Sequence, residues 1–189
     1  YLFSLEKAID KRRYLPEIVR LHNELGQLHS YRGDMPKAIQ HFEAAYEALQ
    51  RVLTTQPQYA DDKIYLEEIL GIAHLRRGEL DNCVHQHNAE MCLFPLSTAG
   101  QHKLKAGASS AVEYFQTHLF SRPDNLEVRW LLNLAAMTLG QYPQGPSLKK
   151  PRDWLIPMPA TPIADRLPKF PDVAGKLGID PVSGAGGSI

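Results

Sequence analysis

The residues of this chain that could do chemistry are concentrated in one short stretch, which contains Cys83, His85, His87, Cys92 and His102. Thiolates and imidazoles are the ligands that zinc and copper prefer in proteins. Two nearby cysteines can instead form a disulfide bond, or they can stay reduced in a reducing compartment. The stretch therefore permits three interpretations, namely a metal site, a disulfide bond and a pair of thiols.

The spacing of these residues restricts each interpretation. On a helix His85 and His87 point about 200° apart, whereas Cys83 and His87 share a face. The metal interpretation uses as ligands Cys83, His87, Cys92 and His102, in a spacing that matches no familiar zinc motif. Cys83 and Cys92 would lie roughly 13 Å apart along an unbroken helix. Because a disulfide needs α-carbons within about 7 Å, it requires the helix to end between the two cysteines.

No other pattern in the sequence points to catalysis. The chain has no Gly-x-Ser-x-Gly elbow, no phosphate-binding glycine-rich loop, no His-Glu-x-x-His helix and no Cys-x-x-Cys pair. We therefore expect this segment to be non-catalytic and to bind no cofactor of its own.

Composition and charge set the broad class of the protein. Lys plus Arg and Asp plus Glu are 21 each, so no net charge attracts the chain to nucleic acid. With 43% hydrophobic residues among 189, the chain can bury the core of one modest domain. It has no apolar run long enough to suggest a transmembrane segment. The chain opens at Tyr1 within a helical pattern and without an initiator Met, so we expect the native N-terminus to lie upstream.

The elements that position the chemistry follow the tetratricopeptide (TPR) pattern, a pair of helices that repeats roughly every 34 residues. Its slots are filled by Leu25, Gly26, Gly33, Ala38, Phe42 and Ala45. His22 and His29 replace the leading Trp and the central Tyr. The pattern predicts a helical pair over residues 16–54, with its turn at Gly33-Asp34. Histidines at such slots, including His74 and His118, are expected to be partly buried and hydrogen-bonded.

A second unit begins at Leu70-Gly71 but departs from the pattern. Cys83 stands where the pattern has a small residue, and His87 stands where it has an aromatic residue. We interpret residues 82–107 as an insertion that interrupts a repeat. Later slots are filled by Ala111, Phe115, His118 and Pro123, and a further first helix is predicted over residues 125–139. The sequence therefore predicts an all-α, TPR-like stack of about three irregular helical hairpins over residues 1–142.

Residues 143–168 have the composition of a Pro-rich arm, since their prolines forbid a long helix. Trp154, Leu155 and Ile156 make this arm more apolar than an ordinary solvated linker. We therefore expect the arm to dock on another surface.

Three short motifs resemble the N-terminal TPR region of bacterial FG-GAP/ASPIC-UnbV proteins, a family that includes cartilage acidic protein. They are Asn82-Cys83-Val84, Cys92-Leu93-Phe94-Pro95 and Trp130-Leu131-Leu132-Asn133. A further motif, Phe170-Pro171-Asp172-Val173-Ala174, is similar to the opening of that family's propeller. The resemblance implies that residues 169–189 begin a calcium-binding β-propeller. It also implies export to the periplasm, the cell surface or the extracellular space. Cysteines this close in an exported protein are usually paired, so we favour a Cys83–Cys92 disulfide, which would stabilise the fold by roughly 2–3 kcal/mol.

These features favour a scaffold that binds a partner protein through the concave face lined by its first helices. The candidate contact residues are His22, His29, Arg32, His74, Arg77 and Asn133. We expect changes at Arg77 and Asn133 to weaken binding and to leave the melting temperature nearly unchanged. In an alternative interpretation the helices and arm brace the protein's own propeller, with the apolar face beneath Trp130 and Trp154 as the contact surface.

Overall fold

The computed structural model describes residues 14–84, 89–92, 94–143 and 154–156, all of which belong to the first of two compact units, residues 1–157. This described part is all-α and contains no strand. Its five α-helices are α1 (Leu15–Tyr31), α2 (Met35–Leu53), α3 (Ala60–Glu79), α4 (Ala106–Ser121) and α5 (Leu126–Leu139). None of these helices is both long and apolar enough to cross a membrane. The predicted start of a propeller, residues 169–189, lies outside the described residues.

The helical pair that the sequence predicts over residues 16–54 is confirmed as α1 and α2. The turn between them uses Gly33 in a left-handed conformation, with φ at +76°. Asp34 caps α2, because its side chain accepts a hydrogen bond from the Lys37 amide at 3.4 Å. The ring of Phe42 lies against Gly26, where a β-carbon would stand 2.5 Å from the nearest ring atom. The two helices therefore approach more closely than a side chain at this position would allow.

In the second hairpin the partner of α3 is α4, which corrects the slots that the sequence pattern assigned. The ring of Phe115 lies against Gly71, where a β-carbon would stand 2.4 Å from the nearest ring atom. Phe115 thus takes the aromatic position assigned to His87, while Cys83 lies in a π-helical turn beyond the end of α3. The sequence pattern assigned this helix to the second position of a separate unit that lacks a first helix, but it instead completes the second hairpin. The described stack consists of two hairpins followed by α5.

The described part of the segment between α3 and α4 is irregular. It leaves α3 through a π-helical turn at Leu80–Val84 and contains short 3-10 turns at Ala89–Cys92 and Thr98–Gly100. The buried side chain of Asn82 donates to the carbonyls of Gly78 and Leu104, at 2.9 Å each. Its oxygen accepts from the amides of Lys103 at 2.8 Å and Leu104 at 2.9 Å. These four hydrogen bonds close the segment onto the end of α3.

The helix predicted over residues 125–139 is also confirmed, as α5. Asn125 caps it by accepting from the Val128 amide at 3.2 Å, and Gly140, with φ at +74°, ends it. Buried apolar residues form one cluster around α2 and α3 and another around α4 and α5. Trp154 and Leu155 pack against the second cluster, so the prediction that the arm docks is confirmed for this segment.

Candidate functional site

Two of the predicted contact residues, His22 and His29 on α1, face His41 of α2. Their rings lie 5.2 Å and 5.4 Å from the His41 ring, and the Nδ1 atoms of His22 and His41 are 2.9 Å apart. One of these two nitrogens donates and the other accepts, so only one of them carries a proton while the bond exists. Burial, followed by the charges of His22 and His29, lowers the pKa of His41. The three histidines therefore lie at a helix contact.

His74 occupies a comparable place in the second hairpin. Its ring stacks on Tyr114 of α4 with 5.4 Å between ring centroids, and its Nε2 lies 3.7 Å from Oε1 of Glu43 on α2. Burial lowers the pKa of His74 and is the main cause that raises the pKa of Tyr114 to about 12. His74 is thus packed among three helices.

The other three predicted contact residues lie in different environments. Arg32 follows the last residue of α1 and is exposed. The Nε of Arg77 donates to both carboxylate oxygens of Asp81, at 2.8 Å and 2.7 Å. Asn133 is fully buried on α5. Within the described part of the chain, the six predicted residues therefore do not form one continuous surface.

The cysteine-containing segment brings two of the four proposed metal ligands together. Sγ of Cys83 lies 4.0 Å from Nε2 of His102, a buried ring whose pKa is lowered by burial. His87 and the side chain of Cys92 lie outside the described residues. Among the residues that are described, no group of three or more His, Cys, Asp or Glu side chains could hold a metal ion. The Cys83–Cys92 disulfide and the metal site stay predictions.

A cleft of about 380 Å³ opens between α1 and α3, next to the C-terminal part of α2. We name it the α1–α3 cleft. Its apolar lining residues are Pro16, Val19, Leu49, Val52 and Leu66, and its polar ones are Glu17, Arg20, Asn23, Tyr59, Asp62 and Tyr65. The Oδ1 atom of Asn23 is buried and has no hydrogen-bond partner within the described part of the chain. A cleft with a partly apolar lining is suited to a ligand that carries an apolar group, and a turn of the Asn23 side chain would be needed for its Oδ1 to accept from a ligand N–H.

Asn23 belongs to a stripe on α1 that the sequence analysis missed. Gln27 and Tyr31 follow it at intervals of four residues, and Nε2 of Gln27 donates to the hydroxyl of Tyr65 on α3 at 3.4 Å. At 100° per residue, this stripe lies roughly 150° around the helix from His22 and His29. The missed signal was polar and aromatic residues at four-residue spacing between the packing slots.

A second cleft, of about 580 Å³, lies between the start of α3 and the junction of α4 with α5. His118 lines it but is buried, and its Nδ1 donates to the Ile64 carbonyl at 3.0 Å. Its Nε2 accepts from Nδ2 of Asn125 at 3.0 Å, and Oε2 of Glu68 lies 3.8 Å away. Because Asn125 also caps α5, His118 joins three helices, as expected of a buried and hydrogen-bonded histidine.

The arm segment Trp154–Ile156 is held by side chains from α5 and from the turn that follows it. Nδ2 of Asn133 donates to the Ile156 carbonyl at 2.6 Å, and Oδ1 of Asn133 accepts from the Ile156 amide at 3.0 Å. The Tyr142 hydroxyl donates to the same carbonyl at 3.1 Å. Nε of Arg129 donates to the Trp154 carbonyl at 2.9 Å. Asn133 is therefore an anchor for the arm.

No protein-family model, curated protein or solved structure matches this chain. The relation to FG-GAP/ASPIC-UnbV proteins is therefore a proposal that depends on the quoted sequence phrases. Two places in the structure are candidates for binding a partner, namely the α1–α3 cleft and the face of α5 that holds the arm.

Proposed function

We propose that the helical domain is a non-catalytic interaction module that binds a segment of a partner protein in the α1–α3 cleft. The observation that supports it is the cleft itself, which combines a buried apolar lining with the unsatisfied Oδ1 of Asn23. An apolar side chain of the partner would bury its surface against this lining. A turn of the Asn23 side chain would bring its buried Oδ1 to the cleft, where a main-chain amide of the same segment would supply the donor that it lacks among the described residues.

The two helices that line the cleft also carry exposed aromatic and aliphatic residues, of which Tyr65 itself lines the cleft. Tyr31 is 87% exposed, Tyr65 45% and Ile72 37%. Tyr65 and Ile72 are seven residues apart, so they share one face of α3. Aromatic residues beside an apolar pocket are the usual anchors of protein interfaces. The proposed partner is therefore a peptide segment that carries one apolar anchor residue.

The repeated glycine–phenylalanine contact supports the TPR-like part of this proposal. Gly26 with Phe42, and Gly71 with Phe115, give the two hairpins the same close approach of helices. TPR-like stacks present their first helices to a partner, and here the first helices are α1 and α3. From the family resemblance, the proposal also includes export and a calcium-binding propeller that begins at residues 169–189.

Selection of random phage-displayed peptides on the whole chain tests the cleft. We expect selected peptides to lose about tenfold or more in affinity for the Asn23→Ala and Tyr65→Ala variants, since both remove contacts near the centre of the interface. The matched control is Phe120→Ala, which removes a 64% exposed aromatic side chain from α4, and it should leave affinity unchanged. A selection that yields no binder, or binders that ignore Tyr65→Ala, would count against the proposal.

A second candidate function is an intramolecular brace for a propeller, and the docking of the arm favours it. Leu126 and Trp130 lie one turn apart on α5 and are 64% and 40% exposed, so they form an apolar face that a following domain could cover. Sedimentation velocity on this chain distinguishes the two functions. A brace without its propeller should self-associate, and Trp130→Ser should restore the monomer. An interaction module should sediment as a monomer in both forms.

A further inference from the structure

The four described hydrogen bonds that hold Trp154–Ile156 all end on main-chain atoms of the segment. Asn133 provides two of them and satisfies both the amide and the carbonyl of Ile156. A side-chain amide has one donor group and one acceptor, so it can pair with both the main-chain amide and the main-chain carbonyl of a single residue. Contacts of this kind recognise a main chain whatever side chains it carries, and neighbouring pockets then select among side chains. The face of α5 around Asn133 thus has the chemistry of a peptide receptor.

Apolar surface beside Asn133 provides the side-chain selectivity. Trp154 and Leu155 pack against the buried cluster of α4 and α5, where Leu131 and Leu134 also pack. Both arm residues are only partly buried, as is Ile156. Among the described residues, three partly buried residues and four hydrogen bonds form this interface, and contacts of that size are suited to exchange rather than to permanent closure.

The segment also takes a place that a helix takes elsewhere in the fold. Leu132-Asn133 on α5 corresponds to Leu25-Gly26 on α1 and to Leu70-Gly71 on α3. In those two hairpins the glycine receives a phenylalanine ring from the following helix. On α5 the corresponding residue is Asn133, and it forms hydrogen bonds with the main chain of Ile156. Within the described part of the chain, three residues of the arm cover this face of α5, whereas a whole helix covers each of the other first helices.

We propose that this face of α5 is a peptide-binding site that the arm occupies in cis. The partner is a protein segment with an aromatic residue followed by two aliphatic residues, and it displaces Trp154–Ile156. The arm then acts as an autoinhibitory contact. A short tether gives the arm an effective concentration on the order of millimolar, which sets the concentration that a competing peptide must reach. The site is separate from the α1–α3 cleft, so its failure would leave the proposed function standing.

Competition on the whole chain tests this proposal. In a Trp130→Phe background Trp154 is the sole tryptophan, and its emission reports whether the arm is docked. The probe is a synthetic peptide with the sequence of residues 151–157 that carries Trp154→Phe, so it adds no tryptophan signal. Titration to about 10 mM exceeds the effective concentration of a short tether. We expect the Trp154 emission to shift to longer wavelength and to saturate as the peptide displaces the arm.

Two matched controls identify the site. The same peptide with an N-methylated isoleucine cannot donate to Oδ1 of Asn133, so it should displace the arm at least about fivefold less well, the worth of one hydrogen bond. Leu155→Ala in the protein weakens the arm but not the probe, so half-displacement should occur at a several-fold lower concentration. Circular dichroism confirms that each variant keeps its helices.

The outcomes are distinct. Absence of any shift at the highest concentration, with the helices intact, would overturn the proposal, and so would equal displacement by the N-methylated peptide. Exchange of arms between copies, seen as a dimer by sedimentation without any peptide, would also overturn it, because a second copy of the chain would then be the occupant.

Discussion

The ring of Phe115 lies so close to Gly71 that a β-carbon at the glycine would stand 2.4 Å from it, although 44 positions separate the two residues in sequence (115 minus 71). Gly26 and Phe42 make the same contact across only 16 positions (42 minus 26), with a corresponding distance of 2.5 Å. The two hairpins are therefore built around the same contact. In each one, the absence of a side chain permits the close approach of the two helices.

We expect Gly26→Ala and Gly71→Ala each to lower the free energy of unfolding by about 1–3 kcal/mol, because the added methyl group overpacks the contact with the ring. Urea denaturation followed by circular dichroism measures the effect. Combining Gly26→Ala with Phe42→Leu should recover part of the loss, since the smaller side chain makes room.

Gly33→Ala is the control for this prediction. Among the described residues other than its two chain neighbours, no atom lies within 4 Å of the position that its β-carbon would take, yet its φ is +76°. Its cost, about 1–2 kcal/mol, should therefore come from the left-handed backbone alone and should not change in the presence of Phe42→Leu. Equal behaviour of Gly26→Ala and Gly33→Ala with Phe42→Leu would show that overpacking is not the cause.

The sequence predicted local features of the fold correctly, because helix periodicity and turn residues act over short distances. The helix pair around Gly33-Asp34 and the helix that follows Asn125 were found this way. The partner of Gly71 was not found, because a pattern with fixed spacing cannot pass over an irregular connection. It selected His87, at the expected distance along the chain, instead of Phe115.

The candidate site was harder to predict for a related reason. The TPR pattern predicts that His22 on α1 faces another helix, but it does not predict that His22 contacts His41. Likewise, the Leu-Asn phrase on α5 did not reveal that Asn133 binds the main chain of Ile156. Both contacts join residues that are distant in sequence. The α1–α3 cleft depends on how α1 and α3 are placed around α2, which no local pattern records.

Asn133→Ala should destabilise the protein by about 2 kcal/mol, because two hydrogen bonds to Ile156 are lost from a fully buried position. Because Asn133 is fully buried, this prediction replaces the expectation from the sequence that changes at Asn133 leave the melting temperature nearly unchanged. Tyr142→Phe removes the hydroxyl that donates to the same Ile156 carbonyl, and it should lower the free energy of unfolding by about 1 kcal/mol. Chemical denaturation measures both losses. If the two variants had equal stability, Asn133 would not be the main anchor of the arm.

Asn82→Ala should release the segment between α3 and α4 while leaving the helices folded. The Asn82 side chain makes four hydrogen bonds, and Leu104 supplies both an amide and a carbonyl to them. Without the side chain, the amides of Lys103 and Leu104 lose their acceptor. Hydrogen exchange should accelerate at these two amides by at least about tenfold, with little change in α1 and α2.

Asn23→Ala is the matched control for Asn82→Ala, because the Oδ1 of Asn23 has no hydrogen-bond partner among the described residues. It should change exchange at Lys103 and Leu104 very little. Unchanged exchange at these amides in Asn82→Ala would contradict the role of Asn82 as the anchor of the segment.

The stability of the fold should fall as the pH is lowered from 7 toward 5. The pKa of His41 is lowered by burial and by the charges of His22 and His29, and burial lowers the pKa of His74 and His102. A histidine is half-protonated near pH 6.5 in the unfolded chain, so below that pH the unfolded state binds more protons than the folded state. The stabilisation that comes from keeping these histidines neutral is complete above pH 6.5. It is lost as the pH falls through their lowered pKa values in the folded state.

Thermal melts at pH 7 and pH 5.5 should show a lower melting temperature at the lower pH, with a smaller decrease in His41→Gln than in the wild type. The pKa of Glu43 is raised by burial and by Glu47, so this carboxylate acts in the opposite direction. The comparison of the two proteins cancels its contribution, because Glu43 is present in both. The same pH-dependent decrease in both proteins would show that the contacts around His41 do not govern the effect.

The oxidation state of Cys83 and Cys92 distinguishes the disulfide interpretation of this segment from the metal-site interpretation. If Cys83 and Cys92 form the favoured disulfide, the intact mass of the natively purified protein should be lower than that of the reduced protein by two hydrogen atoms. No metal should then be present. The short loop that the bond closes should contribute roughly 2–3 kcal/mol, which reduction should remove. Two thiols with stoichiometric zinc or copper, lost in Cys83→Ser, would instead identify a metal site that uses Cys83, with the neighbouring His102 as the next ligand to test. That result would remove the disulfide as an argument for export.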